Sequence, residues 1–247
     1  MIAFWIAGAT CILTLVGGVL TLRFRSYQGV LFAFCAGALT AGALMEILPD
    51  ASALLLESAD SSFEPHHLQV ACVLGFLCFY VLEHATHHQE TPEMQESHHA
   101  HGPHVGIMGA LGIMLHSFVD GFAIGKGFHI HDHIGWAIAI GVALHKLADG
   151  ASVTGLMLGT QYSTRAVITM LGLTAIAPLF GVWLQAYVTL ATPQLALLLG
   201  WFAGVFLYLG AGSLLPAAHD ASHSRLLPLA TLAGVMFIYG AQLLAPH

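Results

Sequence analysis

The chain has 247 residues, 57% of them hydrophobic and 8% charged, against about 25% charged in an ordinary soluble domain. So few charges cannot dress the surface of a soluble fold of this length, and a net charge of −7 without a basic patch gives nucleic acid nothing to bind. Continuous apolar runs of about 20 residues, long enough to cross a hydrocarbon core, predict an all-α polytopic membrane protein and lack the residue-by-residue alternation of a membrane β-barrel.

Eight spans are expected in one transmembrane domain covering residues 1–247. They lie at about Ile2 to Leu22, Val30 to Leu48, Leu68 to Glu83, Val105 to Gly125, Ile134 to Leu158, Ala166 to Leu190, Leu195 to Leu215 and Leu226 to Leu244. The first run starts at Met1 without a basic leader and reads as a retained helix, not a signal peptide. Cys11, Cys35, Cys72 and Cys78 all fall within spans with no CxxC pair, so they predict packing residues and neither a disulfide framework nor a thiolate metal site. Arg23 and Arg25, Arg165 and Arg225 fall in loops on one side, which the positive-inside rule makes cytoplasmic, with both termini outside. Lys126 is the exception to this pattern.

Residues 84–104 form a histidine-rich stretch in the cytoplasmic connection between the third and fourth spans. His84, His87, His88, His98, His99, His101 and His104 stand there among Glu90, Glu93 and Glu96. Such a segment cannot bury a core; it reads as a flexible loop that holds metal weakly. His129, His131 and His133, with Asp132, form a smaller cluster on the outer side, placed to collect metal.

Two stretches carry the chemistry: His116, Ser117, Phe118, Val119, Asp120, Gly121 and His145, Lys146, Leu147, Ala148, Asp149, Gly150. On helices, a spacing of four puts each His and Asp one turn apart on the same face. Two imidazoles and two carboxylates suit a zinc-like divalent cation. An ionised carboxylate in mid-span costs several kcal/mol, roughly 2.5 to 3.5 on insertion scales, and a bound cation offsets that cost. The trailing glycines permit close helix approach.

The two motifs repeat at an offset of 29, and a second repeat relates the second span to the seventh at an offset of 167. Ala36, Gly37 and Leu48, Pro49 recur as Ala203, Gly204 and Leu215, Pro216, and Glu46 maps onto Ser213. Repeats around a midplane site are typical of secondary transporters, although orientation alone leaves the type of symmetry open.

These motifs resemble those of the Zrt/Irt-like (ZIP) divalent metal transporters, as do the phrase from Phe202 to Tyr208 followed by Leu214, Leu215 and Pro216, and the Leu48, Pro49, Asp50 that ends the second span. The resemblance implies an eight-helix ZIP-like bundle in the cell membrane. Divalent metal, most often zinc, would be its substrate and would move into the cytoplasm through His116, Asp120, His145 and Asp149. No separate cofactor is implied, and the partners are metal ions and the lipid bilayer; a homodimer is compatible with this. Many members carry Asn after the first His, an acid after the second, and Glu before a Pro in the sixth span. Ser117, Lys146 and Ala177 (before Pro178) stand at those places. The supports for a second metal ion are thus weakened, and a single site is expected with the Lys146 ammonium, paired with Asp149, in place of that ion. Val119 and Ala148 replace the family's Pro, which leaves the helix path at the site open. Glu46 stands where many relatives have His, as either a pathway ligand or an interfacial acid.

Two other functions compete. An intramembrane zinc-dependent hydrolase would need an acid or base beside the metal, a role for Lys146 or Ser117; a metal sensor would pass no flux. The even pairing of the motifs and the histidines on both faces favour a traversing ion over an enzyme. Zinc, iron, manganese and cadmium overlap in ligand preference, so the ligand set does not choose among them.

Overall fold

The computed structural model describes residues 1–57, 64–87, 103–130, 132–188 and 190–244. Among them the chain is helical with no strand. The elements are α1 (Ile2–Arg23), α2 (Gln28–Ala41), α3 (Leu48–Glu57), α4 (Pro65–His87), α5 (Pro103–Ile130), α6 (Asp132–Gly159), α7 (Thr164–Gln185), α8 (Thr192–Leu207), α9 (Leu215–Ala221) and α10 (Leu227–Leu244). Six helical stretches among the described residues are long and apolar enough to cross a membrane: Ile2–Arg23, Arg25–Leu56, Pro65–His84, Gly106–His129, Thr164–Gln185 and Thr192–Ala221. The expected eight are thus met by six. α6, which carries the charges of the second motif, is outside that set, and α10 falls among the shorter apolar helices. Large apolar side chains such as Trp5, Val73, Phe180 and Leu229 lie on exposed faces, as the lipid-facing side of a membrane protein requires.

Two prolines shape the long rods. Pro49 has no N–H for the carbonyl of Met45, four residues back, and Pro216 has none for Gly212. Each helix widens just before its proline. A π-helical segment, Gly42–Ile47, joins α2 to α3, and another, Tyr208–Leu214, joins α8 to α9. The carbonyl of Met45 accepts the side-chain amide of Gln242 on α10. The second and seventh spans therefore do not stop at Leu48 and Leu215, as hydropathy suggested; they continue to Glu57 and Ala221.

Four helix pairs meet through reciprocal glycines: α1 with α6, α5 with α7, α2 with α10 and α4 with α8. A Cβ on Gly17 would stand 2.0 Å from the carbonyl oxygen of Leu147, and one on Gly150 would stand 1.9 Å from that of Thr14. Gly121 and Gly181 meet the carbonyls of Pro178 and Phe118 in the same way, Gly37 and Gly234 those of Thr231 and Phe34, and Gly75 and Gly204 those of Trp201 and Cys72. Only glycine lets backbones come this close.

The same contacts settle the symmetry. Gly29 packs against Ala218 and Ser222, Gly210 against Ala36 and Thr40, and the first π segment lies along α8, so the two π-bearing rods run antiparallel. The glycine contacts superpose α1 on α7 at an offset of 164 and α4 on α10 at 159, beside the 167 of the rods and the 29 of the motif helices. The bundle is an inverted repeat of α1–α4 and α7–α10 around the central pair α5 and α6. Phe32, Leu39, Phe79, Ile113, Phe202 and Leu209 fill part of the core between the halves.

Candidate metal centre

The two motif helices run through their motifs without a break, each 28 residues long. With Val119 and Ala148 in place of proline the helices are unbroken there, and the four-residue spacing turns each His–Asp pair to one face. Gly121 seats α5 against α7 and Gly150 seats α6 against α1. The opposite faces of α5 and α6 are thereby turned toward each other at the centre of the bundle.

His116, Asp120, His145 and Asp149 come together there, with one ligand atom from each lying within 4.8 Å of the others. All four are buried, as are Ser117 and Lys146, and Lys146 has 0% of its surface exposed. The Lys146 ammonium donates to Oδ2 of Asp120 at 2.5 Å, to Oδ2 of Asp149 at 2.6 Å and to the Ser117 hydroxyl at 3.0 Å. The expected partnership with Asp149 is present, and Asp120 joins it from the facing helix. A buried lysine of this kind is tolerated because each of its bonds is made to an oxygen in reach and two of those oxygens are charged.

The histidines are held differently. Nδ1 of His145 lies 2.6 Å from Oε1 of Glu46, leaving Nε2 facing Oδ2 of Asp120 at 3.4 Å. The Glu46 carboxylate lies beside Gly141, one turn before His145, with Oε1 3.6 Å from where a Cβ would stand. A histidine tied at one nitrogen by a carboxylate offers the other to a metal, a pattern that fixes the ring and raises its basicity. His116 is packed edge-on against Phe206, with ring centroids 4.5 Å apart, and against Phe202. Its Nε2 lies 3.4 Å from Oδ2 of Asp120 outside hydrogen-bonding geometry, and neither ring nitrogen has a hydrogen-bond partner. A fully buried polar atom left unpaired is uncommon and costly, and a cation between the four side chains would satisfy it.

Ala38, Gly42 and Glu46 line one wall of a small cavity that reaches His145 and Asp149. Their spacing of four makes a groove of small residues ending at the acid. Asp50, one further turn along and exposed, lies in the electrostatic reach of Glu46, His145 and Asp120. Asp50 enters the sequence analysis only through the family resemblance; the Glu46 to Asp50 spacing of four was the signal that the two acids are neighbours along one helical rod.

Among the described residues, the metal-ligand cluster contains no other histidine. His129 ends α5 on an exposed surface, and His84 lies exposed on α4. The backbones of His87, His104 and His133 belong to α4, α5 and α6. His88, His98, His99, His101 and His131 lie outside the described residues.

The family model described as ZIP zinc transporter matches residues 88–245, from the histidine-rich stretch through both motif helices to the end of α10. The chain belongs to the ZIP zinc transporter family. It is a divalent metal transporter of the membrane, and the buried His/Asp cluster fits a metal site. No curated protein matches it closely. Within this ZIP protein, α1 to α4 precede the matched region, and the inverted repeat ties them to α7–α10 inside it. The hydrolase reading is not favoured: the amine of Lys146 is spent on two carboxylates and cannot serve as a free base.

Proposed function

We propose that this ZIP protein carries one divalent ion at a time, zinc foremost, into the cytoplasm through a mid-membrane site of His116, Asp120, His145 and Asp149. The observation that carries the single-ion reading is the Lys146 ammonium between Asp120 and Asp149. Ionised Glu46, Asp120 and Asp149 bring three negative charges and Lys146 one positive, so one divalent ion leaves the buried site neutral. A second ion would leave it with two uncompensated positive charges in low dielectric, where such charges are most costly. Glu46 is then the residue that orients His145 and, with Asp50, draws the ion from the outer side.

In this reading α6 and α10 are also spans, making eight in a single domain with both termini outside. The loop arginines support that orientation. The inward direction rests on the family resemblance. The histidine-rich stretch would receive metal on the cytoplasmic side, and His129, His131 and His133 would gather it outside. The inverted repeat supports alternating access, in which one half rocks against the other around the fixed site.

Reconstituted vesicles holding a metal-sensitive dye test the assignment. Flux should vanish in the His145→Ala, Asp149→Ala double variant, and flux that survives would remove these residues from the site. With the histidines at 87, 88, 98, 99, 101 and 104 replaced by serine, the purified protein should bind one zinc ion in its membrane core. A count of two would sink the single-ion reading.

A further inference from the structure

Along α10, Gly234, Ile238 and Gln242 stand at a spacing of four and so share one face. Gly234 seats α10 on α2, where a Cβ would stand 2.0 Å from the carbonyl oxygen of Phe34. Ile238, with 1% of its surface exposed, lines the small cavity of Glu46, His145 and Asp149. Gln242 donates its side-chain amide to the carbonyl of Met45. That carbonyl lies inside the first π segment, one residue before Glu46. α10 supplies none of the four cluster residues, yet one stripe of it follows the rod that carries Glu46 from the glycine seat to the widened turn.

The widened turn decides where Glu46 points. The N–H of Leu48 bonds back five residues, to the carbonyl of Ala43, where an α-helix would reach back four. Were the segment to tighten to an α-helix, the side chains on its two sides would rotate relative to each other by up to about 100°, one residue of register. Oε1 of Glu46 lies 2.6 Å from Nδ1 of His145, a contact that such a rotation breaks. Pro49 opens the turn by withholding the N–H that the Met45 carbonyl would take in a regular helix, and an unsatisfied carbonyl within a span is costly. The Gln242 amide meets that need from outside the rod. At the matching place of the other half, α4 has Glu83, which accepts from Ser213. The amide thus belongs to the half whose π segment carries the acid of the site.

We infer that Gln242 is a positioning residue of the transporter: by holding the Met45 carbonyl it keeps the first π segment widened, and so keeps Glu46 on His145 and Nε2 of His145 aimed at the ion. This rests on the central-site reading above, whose own failure would appear separately, as zinc binding unchanged in the His145→Ala, Asp149→Ala variant. The test titrates zinc into the purified full chain in detergent, with the histidines at 87, 88, 98, 99, 101 and 104 replaced by serine. Gln242→Met keeps the length of the side chain and gives up the donor. It should still bind one zinc ion, about three- to tenfold more weakly, the scale of one intramolecular hydrogen bond. Gln242→Glu, equal in shape but an acceptor set against an acceptor, should lose at least as much, and it carries the test if the methionine variant does not fold. A residue that only stabilised the bundle would lower affinity whatever stood at position 46. In a Glu46→Ala background the His145 ring has no carboxylate left to lose, and the Gln242 substitution should then add no further loss. Unchanged affinity in both Gln242 variants, or the same fold loss with and without Glu46, would overturn the inference.

Discussion

Lys146 is a cation with no exposed surface, bound by Asp120, Asp149 and Ser117. Removing one member of such a buried set leaves charges uncompensated, at a cost of about 3–5 kcal/mol. Lys146→Met should therefore lower the melting temperature of the metal-free protein in detergent, and zinc should raise it more in the variant than in the parent, because the ion then supplies charge that the ammonium no longer does. An equal zinc shift in both would separate Lys146 from the metal. Glu46 acts through the ring it holds, so Glu46→Gln should weaken zinc binding on the order of 10–100-fold, read by titration, without raising the number of ions bound. The four His and Asp residues were legible in the sequence because their spacing is local to single helices. The sequence paired Lys146 with Asp149, three residues away, but its bond to Asp120 crosses from α6 to α5 and had no local signal. Glu46 was left between two roles for the same reason: its contact with His145 spans α3's entry segment and α6, 99 positions apart in the chain.

At the scale of helices, the glycines after the acids do more than make room for a ligand. Gly121 and Gly150 set the depth at which α5 and α6 lean on α7 and α1, and so set where both motifs point. Gly121→Ala and Gly150→Ala would each place a methyl group about 2 Å from a carbonyl oxygen, and the backbones would have to part at a cost of about 1–3 kcal/mol. Both variants should melt earlier and bind zinc more weakly even though every ligand is intact; zinc affinity equal to the parent's would show that helix depth does not position the site. The existence of long apolar helices was plain from hydropathy, but two of their ends were not. Proline after an apolar run reads as a stop, whereas Pro49 and Pro216 are absorbed by π segments, with Gln242 from α10 taking up the carbonyl that Pro49 leaves. That rescue is tertiary and leaves no mark in the run itself.

For the whole molecule, the repeat at an offset of 167 was readable but its sense was not, because sequence similarity carries no direction. The packing of Gly29 near Ser222 and of Gly210 near Ala36 makes the relation antiparallel, and antiparallel halves need an odd number of crossings between their matching helices. In the proposed eight-span path the second and seventh spans satisfy this, and the start of α8 and the start of α7 would then lie on opposite faces of the membrane. Thr164 and Gln194 are exposed at those two ends and can each be changed to cysteine in a chain whose four native cysteines are alanine. With the arginine-bearing loops cytoplasmic, Gln194→Cys should react with a membrane-impermeant maleimide on intact cells, and Thr164→Cys only after permeabilisation. Labelling of both from outside would break the eight-span path. Labelling of Thr164→Cys alone would keep the path and reverse the orientation, and the acidic approach formed by Asp50 and Glu46 would then face the cytoplasm and serve export.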